Sequence, residues 1–130
     1  MNIKNRAFII DLVIYPLKLY VVFGELKKQT TKLLNSLPHP PSEEQLKDIL
    51  VSFENDDYGA RTLPLNNGVM IHFKNMDKDD LYDFIPHEAL HAVKQVLSVV
   101  GVGKMSSAND EAYCYLLGYI TKQIFLNYLK

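Results

Sequence analysis

A single cysteine, Cys114, is all the thiol chemistry this chain carries. One thiol closes no internal disulfide, which excludes the stapled scaffolds of small secreted proteins. An excess of one charge sign is also missing. The net charge is −1 and no run of like charge occurs, so a basic nucleic-acid surface is not expected. No apolar run approaches the roughly 18 residues of a membrane span, and no membrane partner is expected. The start, Met1 to Arg6, places basic residues before an apolar stretch. Asp11, Pro16 and Lys18 interrupt that stretch, and it lacks a small-residue cleavage site, so it does not read as a signal peptide. A reducing, cytoplasmic compartment is expected. What is present suffices for a core: 48% of the 130 residues are hydrophobic. Residues 1–130 are expected to form a single domain.

Residues 7 to 23 are rich in β-branched and aromatic types and are divided by Tyr15-Pro16. They predict two strands or one bent strand, since proline is poor in a central strand. Glu25 to Leu37 has leucines near helical spacing. Pro38-His39-Pro40-Pro41 is a stiff connector, with His39 a solvated loop residue. Ser42 with Gln45 predicts a capping box that opens a short helix. Glu54 to Gly59 and Asn75 to Asp80 read as polar connections. Leu63–Leu65 and Val69–Phe73 predict a hairpin about Asn66-Asn67-Gly68, whose residues tolerate positive φ. Two helices follow. One is expected from Ile85 to Val100, with Pro86 in its first turn. The other is expected from Ala108 to Tyr128, with Ser107 as N-cap. The expected class is α+β, a small antiparallel sheet packed on these two helices.

His87-Glu88-Ala89-Leu90-His91 is an H-E-x-x-H motif within the first of them. At 3.6 residues per turn, positions four apart share one helix face, so both imidazoles can converge on one metal. Neutral imidazole nitrogen suits zinc. Glu88 is offset from the ligand line but stays beside the metal's open side, where a carboxylate can take a proton from water. The competing reading, two unrelated histidines on a core helix, is weakened by the helical context.

An open catalytic zinc site needs a third protein donor. Glu111 lies twenty residues beyond His91, near the start of the next helix. This arrangement resembles the gluzincin zinc peptidases, in which a glutamate on the following helix completes the site. The resemblance implies a zincin-like core and Glu111 as ligand; Asp110 is the nearest rival and His72 a weaker one. Gluzincins often carry an aspartate four residues after that glutamate, and here the position is Tyr115. The partner that would orient the first histidine is then Asp110, Asn109 or Asp83. A second resemblance spans nearly the whole chain. Ile10-Asp11-Leu12 with Tyr15-Pro16, the segment Ile85 to Val93, and Asp110 to Tyr119 look like a group of small phage and prophage proteins considered zinc-peptidase-like. It implies a mobile-element origin, with a bacterial host cytosol as location, and supplies no reaction.

Other residues are secondary. Tyr115, one turn after Glu111, is a candidate catalytic donor to a developing oxyanion. Tyr113 and Tyr119 read as core residues with hydroxyls at the rim. His72 alternates with Val69, Ile71 and Phe73, which predicts that it faces outward on an edge strand able to pair with an extended peptide. Cys114 reads as buried and inert, and Gly118 as a site of close helix packing. The leading expectation is a zinc-dependent peptidase or amide hydrolase with a peptide or protein substrate: His87, His91 and Glu111 hold Zn2+, and Glu88 is the base. The alternatives are a non-catalytic zinc-binding phage structural or host-interaction domain, and a metal-free binding module.

Overall fold

The computed structural model describes residues 3–54, 59–74 and 76–130. The apolar stretch near the start folds as two strands, β1 (Arg6–Asp11) and β2 (Lys18–Phe23), paired antiparallel. Their connection holds Pro16 outside both strands, and Asp11 Oδ1 accepts a hydrogen bond from Val13 N at 2.9 Å. Two helices follow, α1 (Lys27–Asn35) and α2 (Glu43–Ser52). The capping box forms as expected: Gln45 N donates to Ser42 Oγ at 3.1 Å, and Ser42 N donates to Gln45 Oε1 at 2.9 Å. Of the polar connection from Glu54 to Gly59, residues 55–58 lie outside the described residues, as does Asn75.

The hairpin is β3 (Ala60–Leu65) and β4 (Gly68–Phe73), joined by Asn66-Asn67. Neither asparagine nor Gly68 has positive φ, so Gly68 serves another purpose. It pairs with Lys18 across a parallel β2–β4 ladder. A Cβ at Gly68 would collide with the Lys18 carbonyl oxygen and lie 3.1 Å from its carbonyl carbon. The sheet order is β1-β2-β4-β3. It is therefore mixed, not antiparallel: β4 arrives beside β2 after a crossover through both helices, which aligns the two central strands.

Both sheet faces are covered. On one side, Leu19, Val21, Phe23, Val69, Ile71 and Phe73 meet the two C-terminal helices. On the other, Tyr20, Val22 and Met70 meet Phe53 and the partly buried leucines of α1 and its flanks. This second layer corrects the expectation for His72. The strand that carries it is central, not an edge, and His72 is fully buried. Its ring stacks on Phe53 at 3.9 Å between centroids, and Nε2 donates to the Gly24 carbonyl at 2.7 Å. Gly24 holds φ +88°, a conformation that favours glycine. β3 is the edge strand on that side of the sheet, and proline is tolerated there at Pro64.

A short 3₁₀ turn (Lys78–Asp80) runs directly into α3 (Leu81–Val99). The helix starts four residues before the expected Ile85, so Pro86 lies inside it and not in the first turn. The ring leaves the Tyr82 carbonyl without its usual amide donor, and Tyr82 is on an exposed stretch where water can replace it. α4 (Asp110–Leu129) begins after Ser107, with Asn109 at the N-cap. Asn109 instead organises the preceding loop, donating from Nδ2 to the carbonyls of Gly103 and Lys104 at 3.3 and 3.0 Å. α3 lies over β3 and β4, and α4 over β1. Tyr119 Oη donates to the Asp11 carbonyl at 2.8 Å, tying α4 to the end of β1. Among the described residues, no helix is long and apolar enough to cross a membrane.

Candidate functional site

α3 is amphipathic in a way that builds the site. Ile85, Ala89, Ala92, Val93, Val96 and Leu97 face the core. That stripe leaves His87 and His91 exposed on the opposite flank, one turn apart, with ring centroids 5.0 Å apart and planes at 70°. Glu88, one residue along, points toward β3 and is buried at 4% exposure. The ligand atoms of His87, Glu88 and His91 all lie within 4.8 Å of one another. Among the described residues, this is the one such cluster of histidine, cysteine and acidic side chains.

β3 forms the facing wall. Thr62 lies on the α3 side of that strand, and its hydroxyl stands 3.2 Å from the Glu88 carbonyl and 3.4 Å from Glu88 Oε1. The hydroxyl proton can serve one acceptor at a time, so Thr62 restrains the carboxyl without neutralising it. Among the described residues, Glu88 has no ion-pair partner. Burying a carboxylate without a cation is costly, and a bound cation beside it removes that cost. The cleft between α3 and β3 has a volume of about 600 Å³ and is lined by Gly59 to Thr62, Phe84, His87, Glu88, His91 and Gln95. It is open enough to admit an extended chain or a small ligand.

Gln95 is a site residue that the motif does not contain. It continues the i, i+4 progression from His87 through His91 along the same face. Its side chain lines the cleft, and its Oε1 is itself buried with no hydrogen-bond partner, an unpaired acceptor beneath the cleft wall. The helical spacing alone was sufficient to find it.

The remaining expected residues are elsewhere. Glu111 is exposed at the start of α4 and is not in the cluster. Tyr113, Leu116, Ile120 and Ile124 form the buried stripe of α4, and Glu111 lies on the other side of the helix. Tyr115, one turn on, shares that exposed side at 75% exposure and lies against the β1–β2 connection, not the histidines. Asp110 is exposed and outside the cluster, and His72 is in the opposite layer. Cys114 is exposed, not buried. At Gly118 an added Cβ would meet nothing within 4 Å, so no close helix packing depends on it.

The donor set fits a divalent transition metal. Two imidazoles one helical turn apart offer nitrogen ligands of the kind zinc takes, and the Glu88 carboxyl stands beside them. No family model, curated protein or solved structure matches this chain, so the geometry of α3 and β3 stands as the basis for any functional reading.

Proposed function

We propose that the protein is a zinc-dependent hydrolase of peptide or amide bonds, with its centre in the cleft between α3 and β3. The observation that supports it is the convergence of His87, Glu88 and His91 within 4.8 Å, with Glu88 buried and the imidazoles open to the cleft. His87 and His91 hold the metal. When bound, the metal supplies Lewis acidity toward a carbonyl and lowers the pKa of water. Glu88 takes a proton from the attacking water and passes it to the leaving amine. Thr62 keeps the Glu88 carboxyl from rotating away from the imidazoles.

Elemental analysis of the purified protein tests the metal. One zinc per chain is expected, lost in His87→Ala and His91→Ala. Glu111→Ala tests the donor expected from the sequence: because Glu111 lies outside the cluster, zinc is expected to be retained, and loss of zinc would assign that carboxylate as a ligand. Glu88→Gln tests the chemistry. It is expected to keep the metal and lower hydrolysis of a casein or fluorogenic-peptide substrate by about 10²-fold or more. Loss of metal in that variant would refute the role given to Glu88.

A second reading rests on a specific observation. Among the described residues, neither Tyr115 nor another tyrosine lines the cleft, so none of them supplies a phenolic oxyanion donor. A metal-binding domain without turnover, serving a phage structural or host-contact role, would behave in this way. It predicts stoichiometric zinc with no hydrolysis in the unaltered protein.

A further inference from the structure

The other flank of α3 carries a second cavity that the proposed chemistry does not use. It has a volume of about 510 Å³, within the range of roughly 300–1,000 Å³ that ligand pockets occupy. Leu90 and Lys94 on α3 form one wall, and Val102, Lys104 and Met105 in the α3–α4 loop form the other, with Tyr113 of α4 closing the base. Leu90 adjoins His91 in sequence, and Lys94 follows His91 by three residues, a rise of about 4.5 Å along the axis. The cavity therefore begins within one helical turn of the metal-ligating face.

Two features suit it to a ligand. Its loop is fixed: Tyr113 Oη donates to the Gly103 carbonyl at 2.8 Å, and Asn109 Nδ2 holds the carbonyls of Gly103 and Lys104. A loop pinned at successive carbonyls has little backbone entropy left to lose on binding. Its charge is also one-sided. Among the described residues, Lys94 and Lys104 are its charged lining residues, no acidic side chain lines it, and neither lysine has an ion-pair partner. Leu90, Val102 and Met105 supply apolar lining in the same cavity as the two lysines, and Leu90 and Met105 are 40% and 60% exposed.

We propose that this cavity receives the carboxyl-terminal residue of a peptide, with an apolar side chain on that lining and the free α-carboxylate between Lys94 and Lys104. The proposal rests on the peptide-hydrolase reading for its ligand class, and it narrows that class to chains cut near their carboxyl end. Two lysine ammoniums on a carboxylate give charge-assisted hydrogen bonds. Exposure limits the gain, so about a fivefold preference for acid over amide is expected.

The test uses binding, so that it does not depend on turnover. The Glu88→Gln protein is titrated with N-acetyl-Ala-Ala-Leu as the free acid and as the C-terminal amide, and followed by ¹H–¹⁵N correlation spectra. The free acid should bind about fivefold tighter, with shifts centred on residues 90–105 and Tyr113, and the preference should weaken in high salt. The Lys94→Ala/Lys104→Ala pair should remove the preference while preserving the spectrum of the free protein. Equal affinities, no binding, or shifts confined to the cleft of Thr62 and His91 overturns the proposal. Zinc content and casein hydrolysis in the unaltered protein are read in parallel. A hydrolase with no acid preference refutes the second cavity alone, and an acid-selective protein with no zinc refutes the hydrolase reading alone.

Discussion

Glycine to alanine at two positions of this chain should change stability in opposite directions, and the size of each change follows from what surrounds the added methyl. Gly68 opens β4 and faces Lys18 of β2. The new Cβ would sit 3.1 Å from the Lys18 carbonyl carbon and 3.3 Å from its nitrogen, with the carbonyl oxygen nearer than either. These are backbone atoms of a central strand, so no side-chain rotation relieves the clash. β2 and β4 must separate, at a cost of about 3 kcal/mol, the upper part of the usual overpacking range. Gly118 is the reverse case. It lies in the body of α4, exposed, with nothing within 4 Å of the added atom. Alanine there removes backbone freedom from the unfolded chain and should stabilise by about 1 kcal/mol. Unfolding entropy near 60 °C is about 2.1 cal/mol/K per residue, so each kcal/mol moves the midpoint of a chain this size by about 4 °C. Thermal melts followed by far-ultraviolet circular dichroism should show Gly68→Ala about 11 °C below the unaltered protein and Gly118→Ala about 4 °C above it. A Gly68→Ala melt within 2 °C or so of the unaltered protein, on a scale where 1 kcal/mol is about 4 °C, would refute the close β2–β4 approach.

Removing the Thr62 hydroxyl should leave the metal bound and impair turnover. In Thr62→Val, zinc content is expected to stay at one per chain while kcat falls about tenfold, as when an outer partner of a site is lost; an unchanged kcat would show that Thr62 does not hold Glu88. His72 predicts a pH dependence of stability. Desolvation by burial, the largest cause, lowers its pKa below the ordinary value, against the opposing effect of its hydrogen bond to Gly24. The unfolded chain then binds the proton more readily than the folded one. Its contribution to stability is therefore complete above the ordinary histidine value and declines as the pH falls below it toward the lowered folded value. His72→Phe, which keeps the stack on Phe53, should flatten urea-unfolding midpoints across that acid window; an unchanged slope would remove His72 as its cause.

The sequence made the local signals legible and hid those that depend on layers. The capping box of Ser42 and Gln45 and the strand pair divided at Tyr15-Pro16 were readable because each is settled within a few residues. So was the pairing of His87 and His91, because positions four apart share one helix face, with Glu88 beside them in the same cluster. His72 was misplaced because alternation assumes one wet face. Once α1 and α2 cover the second face, a strand is buried throughout and alternation carries no information. Pro86 read as a first-turn residue, since the preceding Leu81-Tyr82-Asp83-Phe84 contains no strong helix signal of its own; the core position of Leu81 extends the helix over it. Glu111 and Tyr115 were judged by separation from the motif, but the buried stripe of α4 sets which side of that helix meets the core. Gln95 was within reach of the same periodicity that found the histidines.

The strand β4 has neighbours from both ends of the chain's first half, and this governs when the cleft beside His87, Glu88 and His91 can form. Its parallel partner β2 is separated from it by two helices and an edge strand, so closing that loop carries a large entropic cost before any contact repays it. Until it closes, Val69-Met70-Ile71-His72-Phe73 is an uncovered apolar segment of the kind that seeds intermolecular β-pairing. α3 can seat Glu88 beside Thr62 only after β3 is docked on a completed β4. Assembly of the cleft is thereby coupled to closure of that loop, and nascent or partly refolded molecules would carry both the H-E-x-x-H segment and a sticky pentapeptide before the cleft exists.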